Sequence, residues 1–522
     1  MVSTGKSVRW RRLAGVVVPV LLAFAMTEWV APPANAATSG NLIVDGDGSA
    51  ALCSSSGYED TSIPGWTITS GAPNVTCYNN TGGFPTASTT GAQPGPSLFT
   101  GGTHGNASMT QTVDVSAAAS AIDTGTATYD LSGWLGGFGG QNDRADVVAT
   151  FRNATGGSVG SSQIGPVTAT QRKNKTEFLS RTATGAIPAG TRAIRVDVNY
   201  IWTAGGTTDG YAEHLSLTVS PSVPTPILAA PPSTVPGFDH VFLVYMENEN
   251  LSATSNTADG GAGVIGNSAA PYINSLAQAN TLLTNYSAVT HNSDPNYVAI
   301  AGGSTFGHSA GGSAPTSNCI STCVFNVPSL GDRVDSAGKT WKQYADGANG
   351  NCDTTSHGAY FPDDVPFYYF PTMRNNPSYC QAHWQPLTQM FTDLRSTTTT
   401  PNFVWFAADD CNDMESCGIN AGDNWLSTTL PKIFDSPAWT QQRSLLIVTW
   451  DEDGNNAPGG FGNGQNNQVA TIMAGSPGSV KTGFTSGVRY DHYSTARTIE
   501  QALGLTPLTT NDQYATPIND VW

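Results

Sequence analysis

A proline-dense segment, residues 220–237, divides the chain into two parts with different sequence patterns. It carries six prolines in 18 residues. Proline fixes the backbone and lacks the N–H that helices and sheets need, so we expect an extended, semi-rigid linker. A chain of 522 residues is also too long for one ordinary hydrophobic core. We therefore predict a multidomain protein with a boundary at this linker.

The part before the linker is predicted to be an exported, β-rich module. Residues 1–36 have a basic start, an apolar run at 13–26 and an A-N-A end at 34–36, which together indicate a signal peptide. In residues 37–219, short β-rich runs alternate with Gly, Asn, Thr and Ser, a pattern typical of an antiparallel β-sandwich. No later run in the sequence is apolar for long enough to span a bilayer. We expect a secreted, extracellular monomer without a transmembrane segment.

The composition limits the partners and the compartment. A formal net charge of -17 opposes unspecific binding to nucleic acid, so a small anionic substrate needs a local cation, most simply a metal ion. Eight cysteines fit an oxidising compartment. Spacing does not prove connectivity, but we predict four sequence-local disulfides: Cys53–Cys77, Cys319–Cys323, Cys352–Cys380 and Cys411–Cys417. A zinc site is the alternative for Cys319 and Cys323, although no neighbouring Cys or His pair completes it.

After the linker, three continuous apolar runs predict a different fold. They occupy residues 241–246, 402–406 and 444–450. Apolar residues without alternation indicate strands buried on both faces, as in a parallel sheet covered by helices. We therefore predict an α/β domain over residues 238–522.

Acidic residues follow each of these runs. They are Glu247 with Asn248 after the first, Asp409, Asp410 and Asp413 after the second, and Asp451 with Glu452 after the third. Ligands bind beyond the carboxyl ends of the strands in open α/β sheets. Carboxylates gathered there repel one another unless a cation lies between them. A metal site is one interpretation, and ordinary solvated strand ends are the other.

A second motif, H-N-S-D-P-N-Y at residues 291–297, follows a strand-like run. Its local pattern predicts a helix with Ser293 or Asp294 as N-cap and Pro295 as the first helical residue. A hydroxyl held there faces free backbone N–H groups, where an attacking oxygen would meet a phosphate. A simple capped helix is the alternative.

Five motifs in a fixed order support a family resemblance. They are F-D-H-V-F-L-V-Y-M-E-N at 238–248, H-N-S-D-P-N-Y at 291–297, G-D-N-W-L at 422–426, T-W-D-E at 449–452 and D-H-Y-S at 491–494. Residues 238–522 resemble the phosphoesterase family, which includes secreted acid phosphatases and bacterial phospholipases C. The resemblance implies an alkaline-phosphatase-like α/β domain whose mostly parallel central sheet is covered by helices.

The resemblance also implies roles for individual residues. Glu247, Asn248, Asp451 and Glu452 would bind a divalent metal ion, and Ser293 would be the nucleophile that forms a phosphoseryl intermediate, its oxygen also on the metal. Oxygen ligands suit calcium, magnesium or manganese, while relatives that use zinc leave the identity open. His291 and His492 are the candidate general acids. Asn296, Asp413 and Glu415 are candidates for binding the substrate.

The chain departs from the family pattern at three positions. Asp364 and Glu415 stand where many relatives have histidines, and Gln468 replaces the histidine of an N-H-V element. Carboxylates at such positions repel a phosphate unless they are protonated or bound to metal. Either Asp364, Asp413 and Glu415 hold a further cation, or the domain has drifted from phosphate hydrolysis.

The leading hypothesis is a metal-dependent phosphomonoesterase of the acid phosphatase type that acts on a small phosphate ester. The first alternative is a phospholipase C-type diesterase acting on a phospholipid head group, with the aromatic run at 367–370 as an apolar rim. The second is a catalytically degenerate protein that binds glycans or surfaces. Residues 41–46, 64–66 and 209–217 resemble galactose-binding-like jelly-roll modules, so carbohydrate is a candidate partner of the N-terminal module.

Overall fold

The computed structural model describes residues 37–522, with gaps at 56, 58–59, 81–83, 89–94, 96, 103–104, 253–262, 292, 308–319, 321–322 and 455–466. The predicted signal peptide, residues 1–36, and Cys319 therefore lie outside the described residues.

The N-terminal part consists of two antiparallel sheets. Its strands are β1 (Thr67–Ser70), β2 (Asn74–Cys77), β3 (Ser97–Thr100), β4 (Ala107–Asp114), β5 (Thr128–Gly137), β6 (Arg144–Arg152), β7 (Ser158–Ile164), β8 (Glu177–Ala186), β9 (Ala193–Ile201) and β10 (Gly210–Ser220), with one short helix, α1 (Ala119–Asp123). The first sheet has the order β1-β4-β9-β6-β7 and the second β2-β3-β10-β5-β8. Every pairing between these strands is antiparallel.

Alternating side chains explain why these sheets pack together. Along β6 and β9, buried and half-buried residues alternate without a break. One apolar core takes residues from both sheets, for example Val147 and Val196 from the first and Leu131 and Leu217 from the second. This confirms the antiparallel prediction, while the jelly-roll topology stays a prediction.

Disulfides join three of the four predicted cysteine pairs. Cys53 is bonded to Cys77, Cys352 to Cys380 and Cys411 to Cys417. Cys323 is also disulfide-bonded.

The C-terminal part is an α/β fold around one eight-stranded sheet. The strands of this part are β11 (His240–Met246), β12 (Thr281–Leu283), β13 (Tyr286–Ser287), β14 (Trp341–Ala345), β15 (Trp384–Pro386), β16 (Phe403–Ala407), β17 (Ser444–Trp450), β18 (Thr471–Gly475), β19 (Phe484–Ser486) and β20 (Tyr490–Asp491). The strands β13 and β20 pair with each other in a separate two-stranded sheet, and the other eight form the large sheet. Its helices are α2 (Pro271–Ala279), α3 (Ser293–Gly302), α4 (Leu330–Ser336), α5 (Pro371–Arg374), α6 (Pro377–His383), α7 (Leu387–Asp393), α8 (Ile419–Phe434), α9 (Pro437–Gln441), α10 (His492–Leu503) and α11 (Thr510–Tyr514).

The three apolar runs of the sequence form the centre of this sheet. The strand order is β15-β14-β16-β11-β17-β18-β12-β19, and β11 lies between β16 and β17, parallel to both. All residues of these three strands are buried, as expected for strands covered on both faces. Five of the seven pairings are parallel, but β18 runs antiparallel to β17 and β12, so the sheet is mixed.

The predicted linker has no helix or strand between Ser220 and His240, a stretch that the structure describes throughout. Its end is held by the C-terminal residues of the chain. The Thr234 N–H donates to Asn519 Oδ1 at 2.8 Å, and the rings of Phe238 and Trp522 lie 5.7 Å apart. The domain boundaries at 36/37 and on either side of the linker stay predictions.

The two parts of the chain also contact each other directly. The Asp60 N–H donates to the Val289 carbonyl at 2.7 Å, and the Ser62 hydroxyl donates to the Asn511 carbonyl at 2.6 Å. Arg489 reaches Asp60 at 3.6 Å and donates to the Gly71 carbonyl at 3.2 Å.

None of the helices in the described ranges combines the length and the apolar character needed to cross a membrane.

Candidate active site

The ends of β11 and β17 bring the predicted metal ligands together. Because Met246 lies opposite Trp450 in the parallel register, the residues that follow leave the sheet at the same edge. The Asp451 N–H donates to the Met246 carbonyl at 3.0 Å, and the Asn248 N–H donates to Asp451 Oδ1 at 3.1 Å. Glu247 and Asp451 are buried there, as is the neighbouring Glu452.

Helix α3 brings the predicted nucleophile to the same place. The helix begins at Ser293, so Pro295 is its third residue and not its first, a shift of two residues from the prediction. The half-buried Ser293 hydroxyl donates to Glu247 Oε2 at 3.2 Å and also interacts with the Asp451 carboxylate. The other residues of α3 are buried, which fixes the direction of the helix.

Two buried amides shape the loop that leads to Ser293. Asn296 Oδ1 accepts the N–H groups of Val289 and Thr290 at 3.2 Å each, and its Nδ2 donates to the Thr290 carbonyl at 3.0 Å. Asn467 Nδ2 donates to the same carbonyl at 2.6 Å. Both ends of the Asn296 amide are therefore engaged with the backbone, which favours a positioning role over the predicted substrate contact.

The two candidate histidines have different surroundings. His291 lies between carboxylates, with Nδ1 3.2 Å from Glu452 Oε2 and Nε2 3.6 Å from Asp453 Oδ1. His492 is fully buried, and burial lowers its pKa to about 4. Its Nε2–H donates to the Asp451 carbonyl at 2.7 Å, so Nδ1 accepts from the Tyr286 hydroxyl at 3.0 Å. These contacts favour positioning of Asp451 over proton donation by His492.

The electrostatics of the first carboxylate set fit a cation. Burial, followed by the charge of Asp451, raises the pKa of Glu247 well above its usual range, and burial and Glu452 do the same for Asp451. Asn248 Oδ1 is buried and has no hydrogen-bond partner among the described residues. An unpaired buried amide oxygen beside carboxylates is a donor set suited to a hard divalent ion.

A second group of carboxylates lies next to the first. Oxygens of Asp364, Asp410 and Asp413 all lie within 4.8 Å of one another. In the described part of the chain, Glu247, Asp451 and Glu452 do not form such a close trio. The Asn248 amide and the Ser293 hydroxyl are the other oxygen donors of the first set.

Glu415, the third acid predicted with Asp364 and Asp413, lies outside this close trio. Its side chain is exposed, and its Oε1 accepts from Asn248 Nδ2 at 3.4 Å. Asp410 takes its place in the group. Gln468, at the third departure from the family pattern, donates from Nε2 to the Thr284 carbonyl at 2.5 Å.

Sequence reasoning missed several residues that contact the predicted site residues. The Tyr297 hydroxyl donates to Glu247 Oε1, and the Tyr369 hydroxyl donates to Asp294 Oδ2 at 2.7 Å. Tyr297 is part of the 291–297 motif and Asp453 follows the T-W-D-E motif, so motif membership was the available signal. Tyr369 belongs to the aromatic run at 367–370 and gave no such signal.

Comparisons with known proteins fit this geometry. The model of the phosphoesterase family matches residues 263–506. A phosphatidylinositol-3-phosphatase of Mycobacterium tuberculosis is 34% identical over 306 residues, which cover 58% of this chain and 88% of that protein. The chain belongs to the phosphoesterase family. It is therefore a hydrolase that acts on phosphoric esters.

A more distant relative agrees with this assignment. An acid phosphatase of Aspergillus fumigatus is 24% identical to this phosphoesterase over 294 residues, 53% of this chain and 58% of that protein. The chain thus spans little more than half of that relative. A solved protein of the alkaline phosphatase superfamily from Vibrio parahaemolyticus aligns with 55% of this chain and 71% of its own at 13% identity, with a TM-score of 0.36.

Proposed function

We propose that this phosphoesterase is a secreted, metal-dependent phosphomonoesterase of the acid phosphatase type, with Ser293 as its nucleophile. The observation that carries the proposal is the contact of the Ser293 hydroxyl with Glu247 Oε2 at 3.2 Å. This contact lies at the sheet edge where β17 ends and Asp451 follows. A serine at the start of a helix, among carboxylates from two strands, is suited to attack on phosphorus.

The proposed mechanism uses the groups that surround Ser293. Glu247, Asn248, Asp451 and Glu452, with the Ser293 oxygen, would hold the divalent ion. When bound, such an ion lowers the pKa of a hydroxyl and offsets negative charge on a phosphoryl group. Glu247 Oε2 accepts the hydroxyl proton as the Ser293 oxygen attacks phosphorus and the ester oxygen leaves.

His291 is the proposed acid for the leaving oxygen, since it lies at the edge of the same cluster. Water then attacks phosphorus and passes one proton back to His291. As the bond between the Ser293 oxygen and phosphorus breaks and phosphate is released, Glu247 returns its proton to the Ser293 oxygen. Tyr297 holds the other Glu247 oxygen, Oε1, and so fixes the direction of the carboxylate that receives the proton.

A phosphomonoester substrate is better supported than a diester. The two relatives described above are named as phosphatases. The aromatic run proposed as an apolar rim for lipid is in the core, because Phe367, Tyr369 and Phe370 are fully buried. The apolar rim at 367–370 is therefore wrong, although a lipid head group that carries a phosphomonoester stays within the proposal.

Activity measurements test this proposal. We expect wild type to hydrolyse p-nitrophenyl phosphate faster than bis(p-nitrophenyl) phosphate, and a chelator to abolish the activity. Ser293→Ala is expected to lower kcat at least about a thousandfold, as for other nucleophile deletions. Ser336→Ala, which removes an exposed hydroxyl at the end of α4, is the matched control.

Two results would overturn the proposal. Wild type that is inert toward both substrates across pH and divalent ions would support the degenerate binding protein instead. Activity that survives in Ser293→Ala would remove Ser293 as nucleophile.

Secretion is part of the same proposal. It is supported by the predicted signal peptide and by three disulfides, which form and persist in oxidising compartments. Carbohydrate binding by the N-terminal part stays a prediction, and a pull-down of the whole protein on insoluble polysaccharides tests it.

A further inference from the structure

We propose that Asp364, Asp410 and Asp413 form a second divalent-cation site, distinct from the set built by Glu247, Asn248, Asp451 and Glu452. The expected ligand is a cation that prefers oxygen donors, such as calcium, magnesium or manganese.

The geometry of the trio suits such an ion. One carboxylate oxygen from each residue lies within 4.8 Å of the other two. Oxygen ligands around calcium lie about 2.3–2.6 Å from the ion, so two of them can be separated by up to about 5 Å. The three side chains are thus close enough to share one ion without moving their backbones.

The backbone of the trio is held in place. Asp364 ends the 3-10 turn Pro362–Asp364, and its carbonyl accepts from the Trp405 indole N–H at 3.1 Å. Asp410 and Asp413 lie in the loop after β16, where the Asp410 N–H donates to the Ala359 carbonyl at 2.9 Å. Two separate segments therefore meet at the site.

An independent observation indicates a missing partner. Asp413 is only 2% exposed, and its Oδ1 accepts the Glu415 N–H at 2.9 Å. Its second oxygen, Oδ2, is buried and has no hydrogen-bond partner among the described residues. Burying a carboxylate oxygen without a partner is costly, and a cation would supply that partner.

The electrostatics support the same conclusion. Burial raises the pKa of Asp413 to about 8 and that of Asp410 to about 7. Burial, followed by the charge of Asp363, raises the pKa of Asp364 well above its usual range, and the charges of Asp413 and Asp410 raise it further. Three neighbouring acids that repel one another, two of them buried and Asp410 half-buried, become compatible with ionisation when a divalent ion lies between them.

The second site lies directly beside the first. The Glu247 N–H donates to the Asp413 carbonyl at 3.1 Å, and Asn248 Nδ2 contacts Glu415. By the resemblance of the sequence, Asp364 stands where relatives carry a histidine. A cation held there would restore positive charge for the oxygens of a phosphate ester. This role rests on the proposed function, whereas cation binding itself does not.

The test is the number of manganese ions bound per full-length chain, measured by elemental analysis after equilibrium dialysis. Asp413→Asn and Asp410→Asn are each expected to bind one ion fewer than wild type. Asp435→Asn, an exposed acid at the end of α8, is expected to bind the wild-type number. Comparing variants with wild type cancels ions bound elsewhere on the chain.

The outcomes separate this proposal from the proposed function. Wild-type stoichiometry in a folded Asp413→Asn or Asp410→Asn would overturn the second site, whatever the activity of Ser293→Ala. If Asp413→Asn does not fold, the number of ions bound by Asp410→Asn, a change at a half-exposed residue, decides the test. In chelator we expect both variants to unfold at or above the wild-type temperature, because one of three repelling charges is gone, and added manganese to raise their Tm less than that of wild type.

Discussion

At the scale of single residues, the site depends on side chains that hold other side chains. Tyr297 is the clearest example, because its hydroxyl donates to the oxygen of Glu247 that Ser293 does not contact. Partners of this kind fix the orientation of metal ligands, and their loss typically costs about 10–100-fold in metal affinity or activity.

We therefore expect Tyr297→Phe to weaken divalent-ion binding by about 10–100-fold with a modest loss of stability. Isothermal titration with manganese measures the affinity. Tyr344→Phe is the matched control, since the Tyr344 hydroxyl donates to the Asp393 carboxylate far from the proposed ligands in sequence. Equal affinities in the two variants would contradict a role for Tyr297 in the site.

The pH profile distinguishes the two roles considered for His492. A positioning role predicts that His492→Asn lowers kcat by about 10–100-fold and leaves the shape of the pH–rate profile unchanged. If His492 were the general acid, its removal would delete one limb of that profile. His383→Asn, which also removes a ring bonded to a backbone carbonyl, is the control and should keep wild-type activity.

At the scale of elements, a buried acid at the start of β10 makes the stability of the folded state depend on pH. Burial raises the pKa of Asp209 from 3.8 to about 6, although the Tyr211 hydroxyl donates to it at 2.8 Å. The folded state thus binds more protons than the unfolded state between these values, so this group's contribution to stability is full below pH 3.8 and is lost as pH rises through 6.

Asp209→Asn removes that titration and keeps an oxygen that accepts from Tyr211. We expect the variant to be more stable than wild type above pH 7, by at most about 3 kcal/mol, and the difference to vanish below about pH 4. Urea unfolding at several pH values measures this. A constant difference across pH would show that Asp209 does not titrate differently on folding.

The elements also show how much of the fold can be predicted from the sequence. The runs at 241–246 and 444–450 became β11 and β17, and the run at 402–406 became β16 with a shift of one residue, because burial on both faces leaves a continuous apolar signal. The antiparallel direction of β18 was not predictable, since a short apolar strand carries no mark of its direction.

The same limit applies to the site. Ser293, Glu247 and Asp451 were found because each belongs to a motif or ends a buried strand, and the structure brings them together. The closeness of Asp410 to Asp364 depends on two loops whose path no local pattern encodes. The engagement of His492 with Tyr286 likewise depends on a contact between segments far apart in sequence.

At the scale of the whole molecule, the N-terminal part is attached beside the active-site loop. The Asp60 N–H is bonded to Val289, four residues before Ser293. Arg489 reaches both Asp60 and Asp491, the N-cap of α10, at 3.6 and 3.7 Å. The same contacts that join the two parts therefore support the two segments that carry Ser293 and His492.

Arg489→Gln is expected to loosen this connection and to lower kcat by about 3–10-fold with little change in KM, since about 1 kcal/mol of interaction is removed. Arg489→Lys should recover part of the loss because it retains the charge. Arg192→Gln, which breaks the exposed pair with Asp123, is the control. Steady-state kinetics on p-nitrophenyl phosphate measure kcat and KM of each variant. A wild-type kcat in Arg489→Gln would contradict the expectation.

The contact between Phe238 and Trp522 places the two ends of the stretch 238–522 side by side. Joining them by a short peptide and opening the chain at an exposed turn elsewhere should give a circular permutant with the same sheet order. For the same reason, this part could be inserted into a surface loop of another protein, entering and leaving at one point. A unit with adjacent ends is easily moved between architectures, including one in which it follows a β-sheet module and a proline-rich spacer.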